Sequence, residues 1–473
     1  MVCSSRLALC LIATLVTSCS VPQRYSEQAD VIAMPATWTA ADISTAAPTG
    51  PRLYQNWLDE LDDPQLARLI EIALQHSGSL IVARLEAEAA ALDVQATQTQ
   101  LWPQLDFVLG ASRDRAAFGA ASNRIATTKE YQVELAASWE LDIWGKNRSQ
   151  VTASERALER ALELAQSARL SLVGLVAKTW LTLLALEQQR QIDERRVASF
   201  ADTERSIFDQ VARGLKGPRD LDVARTELHQ ARADAEVTLR QRNVQRNQLQ
   251  ILLGTHQEPV LDPTVGLPKF VADWRLDAPV THLLARPDLR AAFLAIEQAD
   301  AEVAAAYAAR FPQFTLTANV GRTAARISDL SNGISAVSTV AANLIVPLVD
   351  ATNRKLNQQR QERLAEIAAT RFRDDLLRAF HEVEETVGNE KLLQEEIRAL
   401  SEAVVWAERS DRTSLSSYRR GLIGVADLLE ARRTKLDLQR RLIDAKRELF
   451  VNRVNIYLAL GGEPKASTSQ TGV

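Results

Sequence analysis

Few residues in this 473-residue chain are typed and spaced for chemistry. Its five His, at 76, 229, 256, 282 and 381, are scattered, and three Cys leave little for a metal site built on soft ligands. His381-Glu382-x-x-Glu385 stops one residue short of the zinc-protease helix pattern, which needs His in the fifth place. Gly145-Lys146-Asn147 lacks the upstream Gly and the Ser/Thr of a phosphate loop, and no Ser sits in a Gly-x-Ser-x-Gly elbow. Neither enzyme activity nor a cofactor or metal centre is expected. One cysteine does have a pattern around it. Arg6 precedes an apolar run from Leu7 to Val16, and Val16-Thr17-Ser18-Cys19 follows. The run is too short to span a bilayer, which takes ~20 residues, and fits a secretory signal peptide over residues 1–18. The cleavage region resembles a bacterial lipobox, in which the Cys sulfur is acylated; ordinary signal cleavage nearby is the alternative. Cys3 and Cys10 leave with the signal, so Cys19 is the single mature cysteine and no intramolecular disulfide can form. Ser20 instead of Asp after it resembles the outer-membrane delivery pattern of Gram-negative lipoproteins. A diacyl anchor supplies two chains, enough for stable attachment.

Composition narrows the elements that carry such an anchor. Eighteen Gly and 15 Pro are well below ordinary usage, which excludes collagen-like and low-complexity classes and favours long uninterrupted elements. Lys and Arg number 56 against 60 Asp and Glu, a net charge of -4, so a nucleic-acid partner is not expected.

The chain is internally duplicated. At an offset of 209, residues 80–104 match 289–313 without a gap, including Pro103-Gln104 and Pro312-Gln313. At an offset of 207, Arg213-Gly214-Leu215, Gly217, Asp220-Leu221 and Ala224-Arg225 recur as Arg420-Gly421-Leu422, Gly424, Asp427-Leu428 and Ala431-Arg432. The resulting organisation is a lipidated linker over 19–58, a first repeat over 59–254, a linker over 255–280, a second repeat over 281–462 and a disordered tail over 463–473.

Each repeat has the same order of elements. A helical stretch of about forty residues ends at the Pro, which stops a helix and suits entry to a strand. Periodicity then switches to two. Leu105, Phe107, Leu109 and Ala111 alternate with Gln104, Asp106, Val108 and Gly110. After a polar loop, Arg113 to Lys129, Tyr131, Val133, Leu135, Ala137, Trp139 and Leu141 occupy one face, opposite Gln132, Glu134, Ala136, Ser138 and Glu140. The second repeat does the same with Phe314, Leu316, Ala318 and Val320, then Val340, Ala342, Leu344 and Val346. Four strands in two hairpins, over 104–143 and 313–349, are expected. From Arg148 to Gly214 there is no Pro and one Gly, so a helix about 100 Å long at 1.5 Å per residue is expected. Its counterpart runs from Arg354 to Gly421, and each returns through a second long helix, over 220–253 or 427–460. The fold class is therefore mainly α, with coiled-coil hairpins and a smaller β portion.

Apolar and aromatic residues on one strand face and polar ones on the other form the pattern of a transmembrane barrel. Surface hairpins laid on a soluble core are the alternative. Lipid leaves no unpaired backbone group, so a spanning sheet must close, and ordinary barrels start at about eight strands. Four strands per chain are too few, so identical chains must pool them. Two copies would make a narrow filled barrel and three a twelve-stranded one with an open bore; strand number alone does not choose.

The lipobox, the duplicated Pro-Gln entry, Trp139-Glu140-Leu141-Asp142-Ile143-Trp144-Gly145 and Tyr418-x-x-Gly421-x-x-x-x-x-Asp427-Leu428-Leu429-x-Ala431 together resemble the outer membrane efflux protein family, TolC-like channels, and within it the NodT-type lipoprotein branch. The resemblance covers about 55 to 462. It implies a homotrimer with a twelve-stranded β-barrel in outer membrane lipid and an α-helical tunnel across the periplasm. It implies a passive duct for drugs, toxic small molecules or metals, driven by an inner-membrane pump of RND type through a periplasmic adaptor. Type I protein secretion, or a pore-less lipid-anchored scaffold, are the alternative functions. Adaptor docking falls on the turns Gly214, Leu215, Gly217 and Gly421, Leu422, Gly424. Asp427 and Glu430 match an acidic ring at the constricted entrance, where i and i+3 share a helix face. Tyr418 and Asp220 match positions that tether neighbouring hairpins in the closed state. Ile423 stands where the family's best-known member has a basic tether residue, so that closing salt bridge is expected to be absent unless Arg219 or Arg420 substitutes.

Overall fold

The computed structural model describes residues 24–29, 63–118, 124–255, 266–268, 280–331 and 336–462. The signal segment, Cys19, most of both linkers and the tail lie outside these residues. Helices are α1 (Ser26–Ala29), α2 (Pro64–His76), α3 (Gly78–Gln98), α4 (Lys146–Ala212), α5 (Pro218–Leu253), α6 (Pro287–Ala308), α7 (Ala351–Arg419) and α8 (Val425–Ala459). Strands are β1 (Gln104–Phe118), β2 (Arg124–Leu141), β3 (Gln313–Ala324) and β4 (Ala336–Ile345). Among the described residues the chain divides into two compact units, one drawn from 24–29, 86–162 and 291–374 and the other from 63–85, 163–290 and 375–462.

The first unit holds the sheet. Its order is β1-β2-β3-β4, all antiparallel. The two expected hairpins are joined into one sheet, because β2 also pairs β3 from Tyr131↔Ala324 to Leu141↔Phe314. The polar stretch Arg113 to Lys129, expected as loop, is strand as far as Phe118 and again from Arg124, with Arg113 opposite Lys129. Backbone pairing satisfies N–H and C=O groups whatever side chains they carry, so the ladder continues past the apolar segment. Two tryptophans bond to the strand entries. Trp139 Nε1 donates to the Leu101 carbonyl at 3.0 Å, and Trp144 Nε1 to the Pro312 carbonyl at 2.8 Å. Trp144 also stacks on Phe311 at 4.8 Å between centroids. Asp142 then starts α4, accepting from Asn147 N at 3.0 Å and Arg148 N at 2.9 Å.

The second unit is helical. The stretch expected as one forty-residue helix is α2 and α3, bent by 44° where Ser77 takes an extended conformation. Asp63 caps α2 through Gln65 N (2.9 Å) and Leu66 N (3.1 Å), and its other oxygen accepts from the buried Trp180 Nε1 at 2.7 Å. Leu66, Ile70, Leu172, Val176, Trp180, Leu249, Phe450 and Tyr457 form the core there. One stretch of α4 is apolar enough to cross a membrane, but most of it is buried in this core. Gly174, the lone glycine inside α4, lies against Leu458 of α8, where a Cβ would collide with Cδ1. Further along, charged pairs replace apolar contacts. Asp193 accepts from Thr238 Oγ1 at 2.6 Å and pairs Arg440 at 3.3 Å; Arg196 pairs Asp234 at 3.0 Å. Burial opposes the charge of Glu187, but hydrogen bonds from Arg190 and Arg242 prevail and hold its carboxyl below the ordinary range.

Candidate functional site

The two helix reversals have the same construction. α4 ends in a Schellman motif: Leu215 N donates to the Gln210 carbonyl and Gly214 N to the Val211 carbonyl, each at 2.9 Å. α7 ends identically, with Leu422 N to the Ser417 carbonyl and Gly421 N to the Tyr418 carbonyl, again 2.9 Å each. Gly214 and Gly421 have φ of 73° and 75°, the left-handed region that favours glycine at this position. Gly217 and Gly424 have ordinary extended dihedrals, and they act as N-caps of α5 and α8.

A Schellman turn normally folds its last hydrophobic residue onto the helix residue five positions back. Here those positions are Gln210 and Ser417, which offer no apolar partner. Leu215 and Leu422 are consequently 68% and 67% exposed. Beneath them Phe200, Ile207, Leu221, Leu228, Val425 and Leu429 form a separate buried cluster that unites both turns. A duplicated ion pair braces each hairpin. Arg225 meets Glu204 at 3.0 Å, and its repeat equivalent Arg432 meets Asp411 at 3.4 Å. Glu204 and Asp411 escaped the motif comparison, although they stand at the same 207-residue offset as the arginines they hold.

The acidic residues are exposed on one face of α8. Asp427 Oδ2 accepts from Gly424 N at 3.0 Å, so this carboxylate also caps its own helix. Glu430 is ion-paired with Arg433, which lies 3.5 Å from Glu227 as well. Arg433 therefore offsets part of the negative charge expected at this level, a residue that motif reading missed despite its i+3 spacing.

Tyr418 and Asp220 are not hydrogen-bonded to each other, and the half-buried Tyr418 Oη has no hydrogen-bond partner among the described residues. Lys216 Nζ lies 5.2 Å from the Tyr418 ring centroid. The basic residue at the tyrosine is thus Lys216, the repeat equivalent of Ile423; Arg219 and Arg420 are exposed and make no ion pair among the described residues.

The sheet supplies the other working surface. Residues paired directly across strands share a face. On one face Leu105, Phe107 and Leu109 are 69%, 64% and 70% exposed, and Leu135, Val320, Val340 and Leu344 are exposed with them. No described element covers this face. Tyr131 to Leu141 spans ten residue steps along β2, roughly 25 Å of height at ~3.3 Å per residue and a ~40° tilt, which is the band a spanning barrel presents to lipid.

Comparison with known proteins identifies the family of the chain. A family profile described as outer membrane efflux protein matches residues 69–255 and 278–462. Outer membrane protein OprJ of Pseudomonas aeruginosa is 28% identical over 461 residues, 96% of this chain and 94% of the relative. Probable outer membrane lipoprotein SilC of Salmonella typhimurium is 25% identical over 416 residues, 86% of this chain and 88% of the relative. The open-state structure of the Neisseria gonorrhoeae MtrE outer membrane channel superposes with a TM-score of 0.79 at 26% identity, covering 94% of this chain and 98% of that one. The chain belongs to the outer membrane efflux protein family.

Proposed function

We propose that three copies form the outer membrane channel of a tripartite efflux system, a passive exit duct for drugs, toxic small molecules or metals. The observation that carries this is the uncovered apolar face of a four-stranded sheet whose outer strands, β1 and β4, each have one unpaired edge. Lipid tolerates no open edge, so β4 of one copy pairs with β1 of the next until the ring closes. Three copies give twelve strands and a bore that solutes traverse. The 67-residue α4 and 69-residue α7, each about 100 Å long, wall a periplasmic tunnel. An inner-membrane pump of RND type provides the energy, and a periplasmic adaptor couples it to the hairpin turns. Cys19 anchors the assembly through its lipid. Single-channel recording of the purified trimer is expected to show discrete conductance steps. A folded sample with its gate opened and no steps would favour a pore-less scaffold, and dye retention unchanged in a deletion strain would favour protein secretion.

At the entrance, Asp427 and Glu430 from three copies form an acidic ring that binds polyvalent cations. Replacing both by Ala is expected to weaken block by di- and trivalent cations. Arg433→Ala, which frees Glu430, is expected to strengthen it. Unchanged block in both variants would remove the ring. Tyr418 and Asp220, which do not bond each other within a chain, tether neighbouring hairpins in the closed state.

A further inference from the structure

The apolar face of the sheet ends in unopposed positive charge. Beyond Tyr131, the next residue of β2 on the same face is Lys129, and Arg113 of β1 stands directly opposite it. Arg115, opposite Thr127, follows on that face. All three basic side chains are exposed, and none makes an ion pair or hydrogen bond with another described residue. The neighbouring acids Asp114 and Glu130 pair with Thr128 and Ser112, positions that alternate onto the other face. Among the described residues of β1 and β2, the lipid-side face carries no acid at all. Like charges directly opposite on adjacent strands repel, so Arg113 and Lys129 cost stability unless an external anion joins them. On the adjoining strand Arg322, opposite Val133, turns its Nη1 to the Leu330 carbonyl at 3.2 Å.

Height identifies the anion. These residues lie at the sheet end remote from the long helices, just past a band of membrane thickness. They also face outward rather than into the bore. A group at that depth and on that side is a lipid headgroup of the outer leaflet.

We propose that Arg113, Arg115 and Lys129 form a binding site for the phosphates of the anionic glycolipid of the outer leaflet, lipid A. The proposal rests on the barrel reading above. One phosphate bridges Arg113 and Lys129, which relieves their repulsion, and Arg115 adds a second charge-assisted contact. Arginine supplies a planar two-pronged donor for phosphate oxygens at two of the three positions. In the closed trimer three such sites fasten the barrel rim to the outer leaflet at equal intervals.

The test uses the full-length trimer in lipid nanodiscs, titrated with bis-phosphorylated lipid A, with enzymatically dephosphorylated lipid A, and with phosphatidylglycerol. The native protein is expected to bind bis-phosphorylated lipid A at least ~10-fold more tightly than the dephosphorylated form. Replacing Arg113, Arg115 and Lys129 together by Gln is expected to erase that difference, and replacing Arg113 and Arg115 by Lys to retain most of it. Equal affinity for the two lipid A forms, no loss in the Gln variant, or equally tight phosphatidylglycerol binding would each overturn the proposal. Conductance of the Gln variant separates this from the barrel reading: lost binding preference with native conductance steps supports the site, whereas absence of steps in the native protein removes the barrel itself.

Discussion

Replacing Leu215 and Leu422 together by Asp is expected to abolish export while leaving a folded, trimeric channel. Both side chains project from Schellman turns whose helical neighbours, Gln210 and Ser417, give them nothing to pack against. Removing an exposed Leu changes stability by no more than about 0.5 kcal/mol, so folding and assembly stay intact. The effect appears in the complex. A Leu that fills a groove on the adaptor gives up about 1.5–3 kcal/mol of apolar burial when lost. A carboxylate in its place must in addition be stripped of water without a partner. With two such turns per chain, the double variant is expected to show the drug sensitivity of a deletion strain. Trimer migration and thermal midpoint are expected at native values. Native resistance in that variant would discredit the turns as docking elements; an unfolded product would show that the leucines are structural.

The second large effect is on stability. Glu390 Oε1 accepts from Arg453 Nε at 2.9 Å and Nη2 at 2.8 Å, and both side chains are only 8% exposed. Asn452 Nδ2 joins the group through the Thr386 carbonyl at 2.8 Å. Glu390→Ala leaves the guanidinium buried without its carboxylate, which costs about 3–5 kcal/mol. Replacing the pair by apolar residues of similar volume, Glu390→Leu with Arg453→Met, removes both charges at once and is expected to be near neutral. Thermal unfolding in detergent distinguishes the two. A single variant as stable as the native protein would mean that water or another protein group compensates Arg453 after the carboxylate is gone.

Legibility in the sequence followed the range over which each determinant acts. The long helices were readable because they need only an absence of Pro and Gly, and both tips because Gly recurs at a fixed offset with its φ requirement. Strand alternation was equally plain where Tyr131 to Leu141 faces lipid. It failed at Arg113 to Lys129, since residues outside the apolar band keep their backbone pairing but lose the hydrophobic signal. The β2–β3 pairing was invisible because it joins segments almost two hundred residues apart, and a local pattern holds no register for it. Ser77 breaks its helix without a Pro to announce the break. At the tips, residue types were found but not their internal commitments. Asp427 spends an oxygen on Gly424 N, Glu430 is shared with Arg433, and Lys216 lies over the Tyr418 ring. Each is a contact between turns of one helix or across a reversal, which depends on rotamer and helix phase.

The unequal strand lengths have a consequence for the cell surface. Pairing between β2 and β3 stops at Tyr131↔Ala324, whereas β1 and β2 stay together up to Phe118↔Arg124. Seven residues of β2 therefore rise above the shared sheet as a two-stranded ribbon, roughly 23 Å along the strand at ~3.3 Å per residue. In the proposed ring, three such ribbons stand at the outer lip as merlons, each with the Ile327–Leu330 turn against its β2. A two-stranded ribbon has marginal stability of its own, so amide exchange there should outpace the rest of the sheet. Antibodies or phage approaching from outside would meet these battlements first.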